Sequence, residues 1–246
     1  MEKALYLSVI IPAYREKEFI GHNLLEIEKF LGGKDFSYEI IVITDGSPDN
    51  TAEIARNYMG QLKNMRVVEN PENHGKGYVV RQGFLEAKGK YVVFLDADGS
   101  TSITHLEKFL PEFEKGFDIV IGSRKINGAF IQIHQSIYRE FMGEVGNWMI
   151  RIVLGLWNFP DTQCGFKMLT NESAQKLAKS TVIDRFGFDF ELVAVALLFG
   201  YEVKQMPVRW LNEDDSTVTL TGSNGFLQTL FDLLRVKTRL LTGRYK

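Results

Sequence analysis

The chain has 246 residues, of which 45% are hydrophobic and 24% are charged, and its formal net charge is -2. This composition is that of an ordinary globular protein with one large α/β domain or two small ones. The small net charge excludes the global basic field that nucleic-acid-binding proteins use, so no nucleic-acid partner is expected. Cys164 is the single cysteine, which excludes an internal disulfide and a cysteine-based zinc cluster.

Short β-rich runs alternate with helical patterns or glycine-rich turns through the first half of the chain. The five strand-like runs are Leu7 to Ala13, Tyr38 to Thr44, Met65 to Val68, Tyr91 to Leu95 and Asp118 to Ile121. This alternation predicts an α/β fold with a doubly wound, mostly parallel, Rossmann-like sheet. Ligands of such sheets bind at the carboxyl ends of the strands, so the segments that follow each run hold the candidate site residues.

The segments after the first two runs suit a nucleoside. Tyr14 offers a flat aromatic surface for a base, and Asp45 can accept a hydrogen bond from an N–H group on the edge of the base. Asp45 has a second interpretation, because Ser47 to Thr51 is a strong helix-start sequence and aspartate often caps a helix or stabilises a turn. We favour the binding role, since Asp45 stands at the end of a strand.

Residues 74–77, His-Gly-Lys-Gly, follow the third run and suit a phosphate group. The segment is too short for a P-loop, but its glycines permit close backbone approach, and Lys76 supplies a positive charge for phosphates or for the edge of a base. Arg124 follows the fifth run directly. Its guanidinium group could bind a phosphate bidentately or form a surface ion pair.

Asp96 and Asp98 follow the fourth run, and Gly99 lets the chain turn away at once. Side chains at positions i and i+2 leave a strand on the same side, so the two carboxylates can converge on one divalent cation, Mg²⁺ or Mn²⁺.

The same segment has two other interpretations, which are two solvated acids in a turn, and a phosphatase of the haloacid dehalogenase type with Asp96 as nucleophile. Such phosphatases usually carry the motif on their first strand, whereas three runs come earlier here. An EF-hand is excluded, because its sixth position requires glycine and is Thr101.

The order of these segments resembles that of a known family. Residues 12–16, 45–47, 74–77, 96–98 and 122–124 look like the ordered motifs of the family-two inverting glycosyltransferases, which have the GT-A fold. Residues 161–167, Asp-Thr-Gln-Cys-Gly-Phe-Lys, look most like the polyprenyl-phosphate sugar synthases, the group of the dolichyl-phosphate β-glucosyltransferases and the dolichol-phosphate mannose synthases. The resemblance runs from residue 5 to about residue 217, and we expect one GT-A domain over residues 1–222.

The resemblance implies a nucleotide-sugar donor and assigns residues to it. The implied donor-binding residues are Pro12, Ala13, Tyr14, Glu16, Asp45, Lys76, Asp96, Ala97, Asp98 and Gln163. Among them, Asp96 and Asp98 would hold Mg²⁺ or Mn²⁺ on the diphosphate, and Gln163 would line the sugar pocket. Ser100 stands where the mannose synthases often have a glutamine as third metal ligand, so the third ligand stays unassigned.

The resemblance also implies residues for the acceptor phosphate, with Asp98 and Arg124 as catalytic residues. The implied acceptor residues are Arg124, Arg139, Arg209 and Ser216. Thr217 replaces a lysine that relatives often carry, so one cationic contact to phosphate is absent from the pattern. No nucleophile-plus-base constellation stands out in the sequence, which favours a single displacement with inversion over a covalent intermediate. The metal would then act as a Lewis acid on the departing nucleoside diphosphate.

The nature of the acceptor decides whether a base is needed. A phosphate monoester has a second pKa near ~6 and is largely ionised at neutral pH, so it requires no strong base. A sugar hydroxyl would require one, and Asp189 or Glu191 are the candidates. Their spacing places them on different faces of a predicted helix, so we expect only one to serve. Asp189 is therefore kept as a further catalytic candidate.

The expected reaction is the transfer of a hexose, glucose from UDP-glucose, to dolichyl phosphate or a related polyprenyl phosphate. An enzyme of the same fold could instead use GDP-mannose or UDP-N-acetylglucosamine as donor, or a glycan hydroxyl as acceptor. The alternatives from other functional classes are a phosphatase and a protein that binds a nucleotide sugar without catalysis. The sequence does not indicate which oligomeric state the protein has.

The two ends of the chain bear on its location. The first residues lack the layout of a signal peptide, and no apolar run reaches the ~18 residues that a membrane span needs, so we expect a cytoplasmic protein that is peripheral on the cytosolic face of a membrane. Residues 223–246 combine hydrophobic residues with arginines and lysines at helical spacing. This amphipathic helix predicts either an anchor on an anionic membrane surface, or a helix that packs on the core or in a dimer.

Overall fold

A computed structural model describes residues 4–62, 64–132, 137–211 and 223–246, apart from the side chains of 137–140 and 223–226. Within these ranges the chain forms nine β-strands and eight α-helices. The strands are β1 (Leu7–Ala13), β2 (Tyr38–Asp45), β3 (Met65–Asn70), β4 (Tyr91–Leu95), β5 (Ile119–Ser123), β6 (Phe130–Ile131), β7 (Phe166–Thr170), β8 (Val203–Pro207) and β9 (Arg209–Trp210). The helices are α1 (Ile20–Leu31), α2 (Thr51–Tyr58), α3 (Lys76–Glu86), α4 (Leu106–Glu114), α5 (Ile137–Leu154), α6 (Asn171–Ser180), α7 (Phe188–Leu198) and α8 (Ser223–Leu241).

The main sheet has the strand order β3-β2-β1-β4-β7-β5-β8. In the described part of the chain every neighbouring pair is parallel except those of β7, which runs antiparallel to β4 and to β5. The predicted α/β fold with a mostly parallel sheet is confirmed, and β1 and β4 have the predicted bounds. β2 and β3 continue past their apolar runs, because the ladder between them extends to the pair Asp45 and Asn70. β5 starts one residue later than predicted and runs to Ser123, directly before Arg124.

Both faces of the sheet are buried. In β1, Ile10 belongs to one hydrophobic cluster, whereas its neighbours Val9 and Ile11 belong to the other. Successive side chains of a strand point to opposite faces, so each strand contributes to both clusters. The first cluster includes residues of α3, α6 and α7, and the second includes residues of α1 and α4. This arrangement explains why the strands read as continuous apolar runs rather than as alternating ones.

A short parallel pair, β6 and β9, is joined to the turn that follows β4. The backbone N–H of Leu211 donates to the carbonyl of Ser100 at 2.8 Å, and Thr101 and Trp210 form an antiparallel bridge. His105 adds a third link, because its Nε2 atom accepts a hydrogen bond from the backbone N–H of Arg209 at 2.8 Å. These contacts bring the second half of the chain to the carboxyl end of β4.

The C-terminal helix α8 packs on the core through one of its faces. Leu233 and Val236 are buried in the same cluster as α3 and α7, whereas Phe231, Leu234 and Leu241 are exposed. Across the described ranges, no helix combines the length and the hydrophobicity that crossing a membrane requires. Core packing, one of the two predicted alternatives for this helix, therefore holds for one face, and the other face presents apolar side chains to solvent.

The C-terminal end also contributes a buried hydrogen bond. The hydroxyl of Tyr245 donates to Glu191 Oε1 of α7 at 2.7 Å inside the core. Replacement of Tyr245 by Phe should lower the free energy of unfolding by about 1–2 kcal/mol, because the Glu191 carboxylate would lose one of its buried donors. Chemical denaturation monitored by circular dichroism measures this loss.

Tyr201→Phe is the matched control for that experiment. Its hydroxyl makes no hydrogen bond within the ranges that the structure describes, so the free energy of unfolding should change by less than about 0.5 kcal/mol. Equal effects of the two substitutions would contradict a stabilising role for the contact between Tyr245 and Glu191.

Candidate active site

The predicted aspartate pair lies in a tight turn at the end of β4. The backbone N–H of Gly99 donates to the carbonyl of Asp96 at 3.3 Å, and Gly99 has a φ of 72°, which disfavours any other residue type there. The backbone N–H of Ser100 donates to Asp98 Oδ1 at 2.9 Å. This hydrogen bond engages one oxygen of Asp98 and fixes the orientation of its carboxylate.

Asn23 of α1 holds the same turn from below, and sequence reasoning missed it. Its side chain is buried, and Nδ2 donates to the carbonyls of Asp96 and Ala97, both at 3.1 Å. The available signal was a polar residue beside the buried apolar positions Ile20 and Leu24 of this amphipathic helix. A buried amide at such a position needs partners, and here the partners are carbonyls of the candidate site.

Three carboxylates of this region repel one another. Burial, followed by the charges of Asp98 and Asp96, raises the pKa of Glu16 to about 8. Burial and the neighbouring Asp96 likewise raise the pKa of Asp98. Like charges that are held together and partly removed from water favour either protonation or a bound cation. The region is therefore electrostatically suited to a divalent cation.

The carboxylates at the end of β4 determine which metal ion could bind there. Among the described residues no group of three or more histidine, cysteine, aspartate or glutamate side chains is arranged to hold a metal ion. Asp96 and Asp98 are the two carboxylates that the sequence predicts as metal ligands. Mg²⁺ is often held by one or two carboxylates, with water and substrate phosphates completing the coordination. The carboxylates of Asp96 and Asp98 are hard oxygen donors and fit this pattern.

Lys76, the first residue of α3, lies against the aspartate pair. Its Nζ atom contacts Asp96 Oδ1. Burial works against the positive charge, but the carboxylates of Asp96 and Asp189 outweigh burial and raise the pKa of Lys76. Lys76 is therefore a cation at the predicted diphosphate position, and its present partner is Asp96.

Asp45 positions the segment that carries Lys76. The Asp45 carboxylate is buried and accepts hydrogen bonds from the backbone N–H groups of His74 at 3.0 Å and Gly75 at 2.7 Å. Both of its oxygens are thus engaged at the start of α3. Asp45 thus holds the start of α3, whereas at the helix start of residues 47–51 it is Asp49 that accepts from the backbone N–H of Thr51. The predicted contact of Asp45 with a base stays a prediction.

The segment after β1 is held by the segment after β2. The backbone N–H of Arg15 donates to Ser47 Oγ at 2.8 Å, and that of Glu16 donates to Thr51 Oγ1 at 2.9 Å. Arg15 has a φ of 60°, a strained conformation for a residue with a side chain, and such strain is often found at functional sites. Tyr14 is partly exposed beside it, as a ring that stacks on a base must be.

A cavity of about 410 Å³ opens next to these residues and is lined by residues 15–19, Pro48 and Asp49. The other residues predicted near the nucleoside are Pro12, which is half-buried, and Ala13, which is buried. A larger cavity of about 630 Å³ lies at β8 and the end of α7, and none of the predicted site residues lines it. The smaller cavity is therefore the better candidate for the nucleoside.

Arg124 is bound to a partner that the sequence did not predict. Its Nε and Nη2 atoms donate to the two carboxylate oxygens of Asp161 at 2.8 and 2.9 Å, and its backbone N–H donates to Asp161 Oδ2 at 2.9 Å. Although Asp161 is buried, Arg124 lowers the pKa of this carboxyl group to about 2, so the pair is ionised. The edge formed by Nε and Nη2 is thus occupied by Asp161, and the predicted contact of Arg124 with a phosphate stays a prediction. Only the remaining N–H groups of Arg124 can reach a ligand.

Gln163 and Gly165 follow Asp161 in the segment directly before the antiparallel strand β7. The backbone N–H of Gln163 donates to Asp161 Oδ1 at 3.2 Å. A Cβ atom at position 165 would overlap the carboxylate of Asp96, so glycine is required for this close approach. The structure therefore brings the segment 161–165 together with Asp96 and Arg124, as the expected donor site requires.

Asp189 and Glu191 of α7 point in different directions, as predicted, but neither is an exposed base. Asp189 is buried, and its carboxylate contacts the ammonium group of the buried Lys167. Glu191 accepts hydrogen bonds from the backbone N–H groups of Val182 and Ile183 and from Tyr245. The expected base role of Asp189 disagrees with this burial, because its carboxylate already neutralises a buried charge.

The remaining acceptor residues are only partly described. Arg209 is exposed on β9, with its guanidinium group 5.2 Å from the ring centre of Phe130. Arg139 lies in α5, but its side chain is outside the described part of the structure, and Ser216 lies outside the described residues altogether. Their predicted contacts with phosphate stay predictions.

Comparison with protein families decides the class of the chain. The model of a family described as Glycosyl transferase family 2 matches residues 8–177. The chain belongs to this family. The predicted family-two glycosyltransferase is thereby confirmed, and the phosphatase interpretation of Asp96 loses its basis.

Curated relatives resemble this glycosyltransferase over nearly its whole length. A dolichyl-phosphate β-glucosyltransferase of Trichomonas vaginalis is 34% identical over 250 residues, which cover 97% of this chain and 73% of the relative. The dolichyl-phosphate β-glucosyltransferase of Drosophila melanogaster is 34% identical over 257 residues, which cover 99% of this chain and 78% of the relative.

Among solved structures, glucosyl-3-phosphoglycerate synthase from Mycobacterium tuberculosis has a similar fold. Its crystal structure, obtained with Mn²⁺, UDP and phosphoglyceric acid, matches with a TM-score of 0.71 and 18% identity, over 95% of this chain and 78% of that one. The likeness supports the predicted GT-A fold of this glycosyltransferase.

His105 should make the stability of the glycosyltransferase depend on pH. Nδ1 lies 2.9 Å from the carbonyl of Ser102, so it carries the proton, and Nε2 accepts from Arg209. Burial, aided by the charge of Lys108, lowers the pKa of His105 below 6.5. The unfolded chain then binds more protons just below pH 6.5, so this contribution to stability is complete above that pH and is lost as pH falls through the lowered pKa.

Thermal unfolding of the wild type and of His105→Gln between about pH 5 and pH 8 tests this expectation. Glutamine can accept the same hydrogen bond through Oε1 and does not titrate. The stability of the wild type relative to His105→Gln should therefore fall as the solution becomes more acidic. A difference between the two proteins that stays constant over the whole range would disprove the coupling.

Proposed function

We propose that this glycosyltransferase transfers glucose from UDP-glucose to dolichyl phosphate, or to a related polyprenyl phosphate, with inversion at the sugar carbon. The observation that carries the donor assignment is the pair Asp96 and Asp98, two half-buried and mutually repelling carboxylates beside Lys76. The acceptor assignment rests on the two relatives, each of which is a dolichyl-phosphate β-glucosyltransferase of similar sequence over nearly the whole chain.

Asp96 and Asp98 would hold Mg²⁺ or Mn²⁺ on the diphosphate of the donor. When bound, the cation supplies Lewis-acid stabilisation of the charge that grows on the departing nucleoside diphosphate. Lys76 adds a positive charge next to the same groups, since its Nζ atom lies against Asp96. The Ser100 N–H and the Asn23 amide keep the turn and its carboxylates in place before the donor arrives, which lowers the cost of reorganisation.

The nucleoside would occupy the cavity next to Tyr14 and Glu16. The partly exposed ring of Tyr14 suits stacking with uracil, and the strained Arg15 fixes the direction in which the two neighbouring side chains leave the chain. Gln163 would contact the glucosyl group, because it follows Asp161 in the segment that faces Asp96. These roles are the ones that the family resemblance implied.

The acceptor phosphate would contact the free N–H groups of Arg124 and the exposed guanidinium group of Arg209. A phosphate monoester needs no strong base, because it is already ionised at neutral pH. The burial of Asp189 against Lys167 favours this acceptor over a sugar hydroxyl, for which a carboxylate base would have to reach the substrate. GDP-mannose and UDP-N-acetylglucosamine remain the alternative donors.

A direct transfer assay tests the proposal. Purified protein with Mn²⁺ and radiolabelled UDP-glucose should transfer label into the organic phase only when dolichyl phosphate is present. Asp98→Asn, which removes one charge of the proposed metal site at nearly constant size, should reduce this label on the order of 100-fold or more. Unlabelled GDP-mannose and UDP-N-acetylglucosamine are the competitors that test donor choice.

Label that enters the organic phase equally with and without the lipid would contradict the proposed acceptor. Protein that binds UDP-glucose without transferring label to the lipid would favour either a glycan-hydroxyl acceptor or a binding protein without catalysis. A transfer assay with glycan acceptors then distinguishes these two alternatives.

The lipid acceptor also requires the protein to reach a membrane, and we propose that the exposed face of α8 provides the contact on a cytosolic surface. Phe231, Leu234 and Leu241 are exposed there, and Arg235 on the same helix is exposed as well. Apolar side chains interleaved with arginines suit an anionic lipid surface. We thus propose that residues 1–222 form the catalytic domain and that residues 223–246 attach it to the membrane surface.

Flotation with vesicles that contain an anionic lipid tests this contact. The double substitution Phe231→Ser and Leu234→Ser should reduce the bound fraction about tenfold or more, because both side chains would no longer bury in the lipid interface. The matched control replaces Leu25 of α1 and Leu85 of α3 by Ser, since both are similarly exposed on other helices. Equal binding of the two double variants would refute the role of α8.

A further inference from the structure

Lys167 is a buried charge that the proposed reaction does not use. It lies in β7 between β4 and β5, where it pairs with Phe94 and with Ile121, and it is fully buried. Its Nζ atom donates to the carbonyl of Cys164 at 2.7 Å and contacts the carboxylate of Asp189. A buried ammonium group is tolerated only with such partners. Each of these two partners connects Lys167 with Asp96 through further contacts.

The first connection runs through the backbone. The carbonyl that Lys167 holds belongs to the residue directly before Gly165, and the Cα of Gly165 packs on the carboxylate of Asp96. A Cβ atom at position 165 would overlap both oxygens of that carboxylate. The position of this backbone segment therefore limits where the Asp96 carboxylate can lie.

The second connection runs through charges. Lys167 contacts Asp189, the carboxylate of Asp189 attracts Lys76, and Lys76 contacts Asp96 Oδ1. Positive and negative groups alternate along this series from the middle of the sheet to its carboxyl end. Lys76 is thus attracted by two carboxylates, those of Asp189 and Asp96. Its positive charge therefore does not serve to neutralise Asp96 only.

We propose that Lys167, together with Asp189, is a positioning residue for the Asp96 carboxylate and tunes its readiness to accept a divalent cation. Neither residue contacts substrate in this role, because both are buried behind Asp96 and Lys76. The inference rests on the proposed function of Asp96 in donor binding. It also gives Asp189 a role that needs no base chemistry.

The double variant Lys167→Met and Asp189→Leu tests the proposal. Replacement of a buried ion pair by apolar residues of similar volume often leaves a protein as stable as before, so the variant should fold. The probe is Mn²⁺ in the presence of UDP, with free Mn²⁺ measured by electron paramagnetic resonance. We expect the Mn²⁺ concentration for half-saturation to rise about 10–100-fold, as for residues that support metal ligands elsewhere.

Glu191→Gln is the matched control, because Glu191 is also a buried carboxylate of α7 but faces Val182 and Tyr245 rather than Lys76. Its Mn²⁺ titration should equal that of the wild type. If the double variant does not fold, Asp189→Asn replaces it, since asparagine can still accept from Lys167 while the charge that attracts Lys76 is lost. Asp189→Glu should restore most of the affinity.

The outcomes separate the inference from the proposed function. A folded variant that binds Mn²⁺ as the wild type does would overturn the positioning role and leave the proposed function intact. Wild-type protein that binds Mn²⁺ and UDP without transferring label to dolichyl phosphate would overturn only the acceptor. Wild-type protein that shows no UDP-dependent Mn²⁺ binding would overturn the donor assignment and this inference with it.

Discussion

The electrostatic repulsion at the end of β4 is the constraint on which the candidate site depends. Asp96, Asp98 and Glu16 bring three carboxylates into a partly buried region, where burial and the neighbouring negative charges raise the pKa values of Glu16 and Asp98. Lys76 and the backbone N–H of Ser100 offset this charge at Asp96 and Asp98, and Asn23 holds the backbone carbonyls of the same turn. This arrangement agrees with the proposed binding of a cation and a diphosphate.

The antiparallel strand β7 is what completes the site. A purely parallel order would place β5 beside β4, whereas here β7 lies between them and enters from the opposite direction. The residues that precede β7 therefore arrive at the carboxyl ends of β4 and β5. This arrangement brings Gly165 against Asp96 and Asp161 against Arg124, although more than 35 residues separate the last two along the chain.

The sequence predicted what depends on local pattern. The apolar runs gave the first five strands to within two residues, and the parallel sheet then placed Tyr14, Lys76, Asp96 and Arg124 at one edge. It did not predict which charges pair. The partners Arg124 with Asp161, and Lys167 with Asp189, depend on how β7 and α7 pack, and no spacing in the chain specifies that packing. Asn23 was missed for the same reason, because its carbonyl partners lie more than 70 residues away.

The pairing of Arg124 with Asp161 changes what this arginine can contribute to a phosphate. Because Asp161 stays ionised, the pair as a whole carries no net charge towards the acceptor. Two of the N–H groups of Arg124 are held by Asp161, and its guanidinium group lies 5.4 Å from the ring centre of Trp210. These contacts fix the orientation of the guanidinium group, and with it the direction of the free N–H groups. In the proposed reaction, attraction of the anionic acceptor would then come mainly from Arg209, whereas Arg124 would set its orientation.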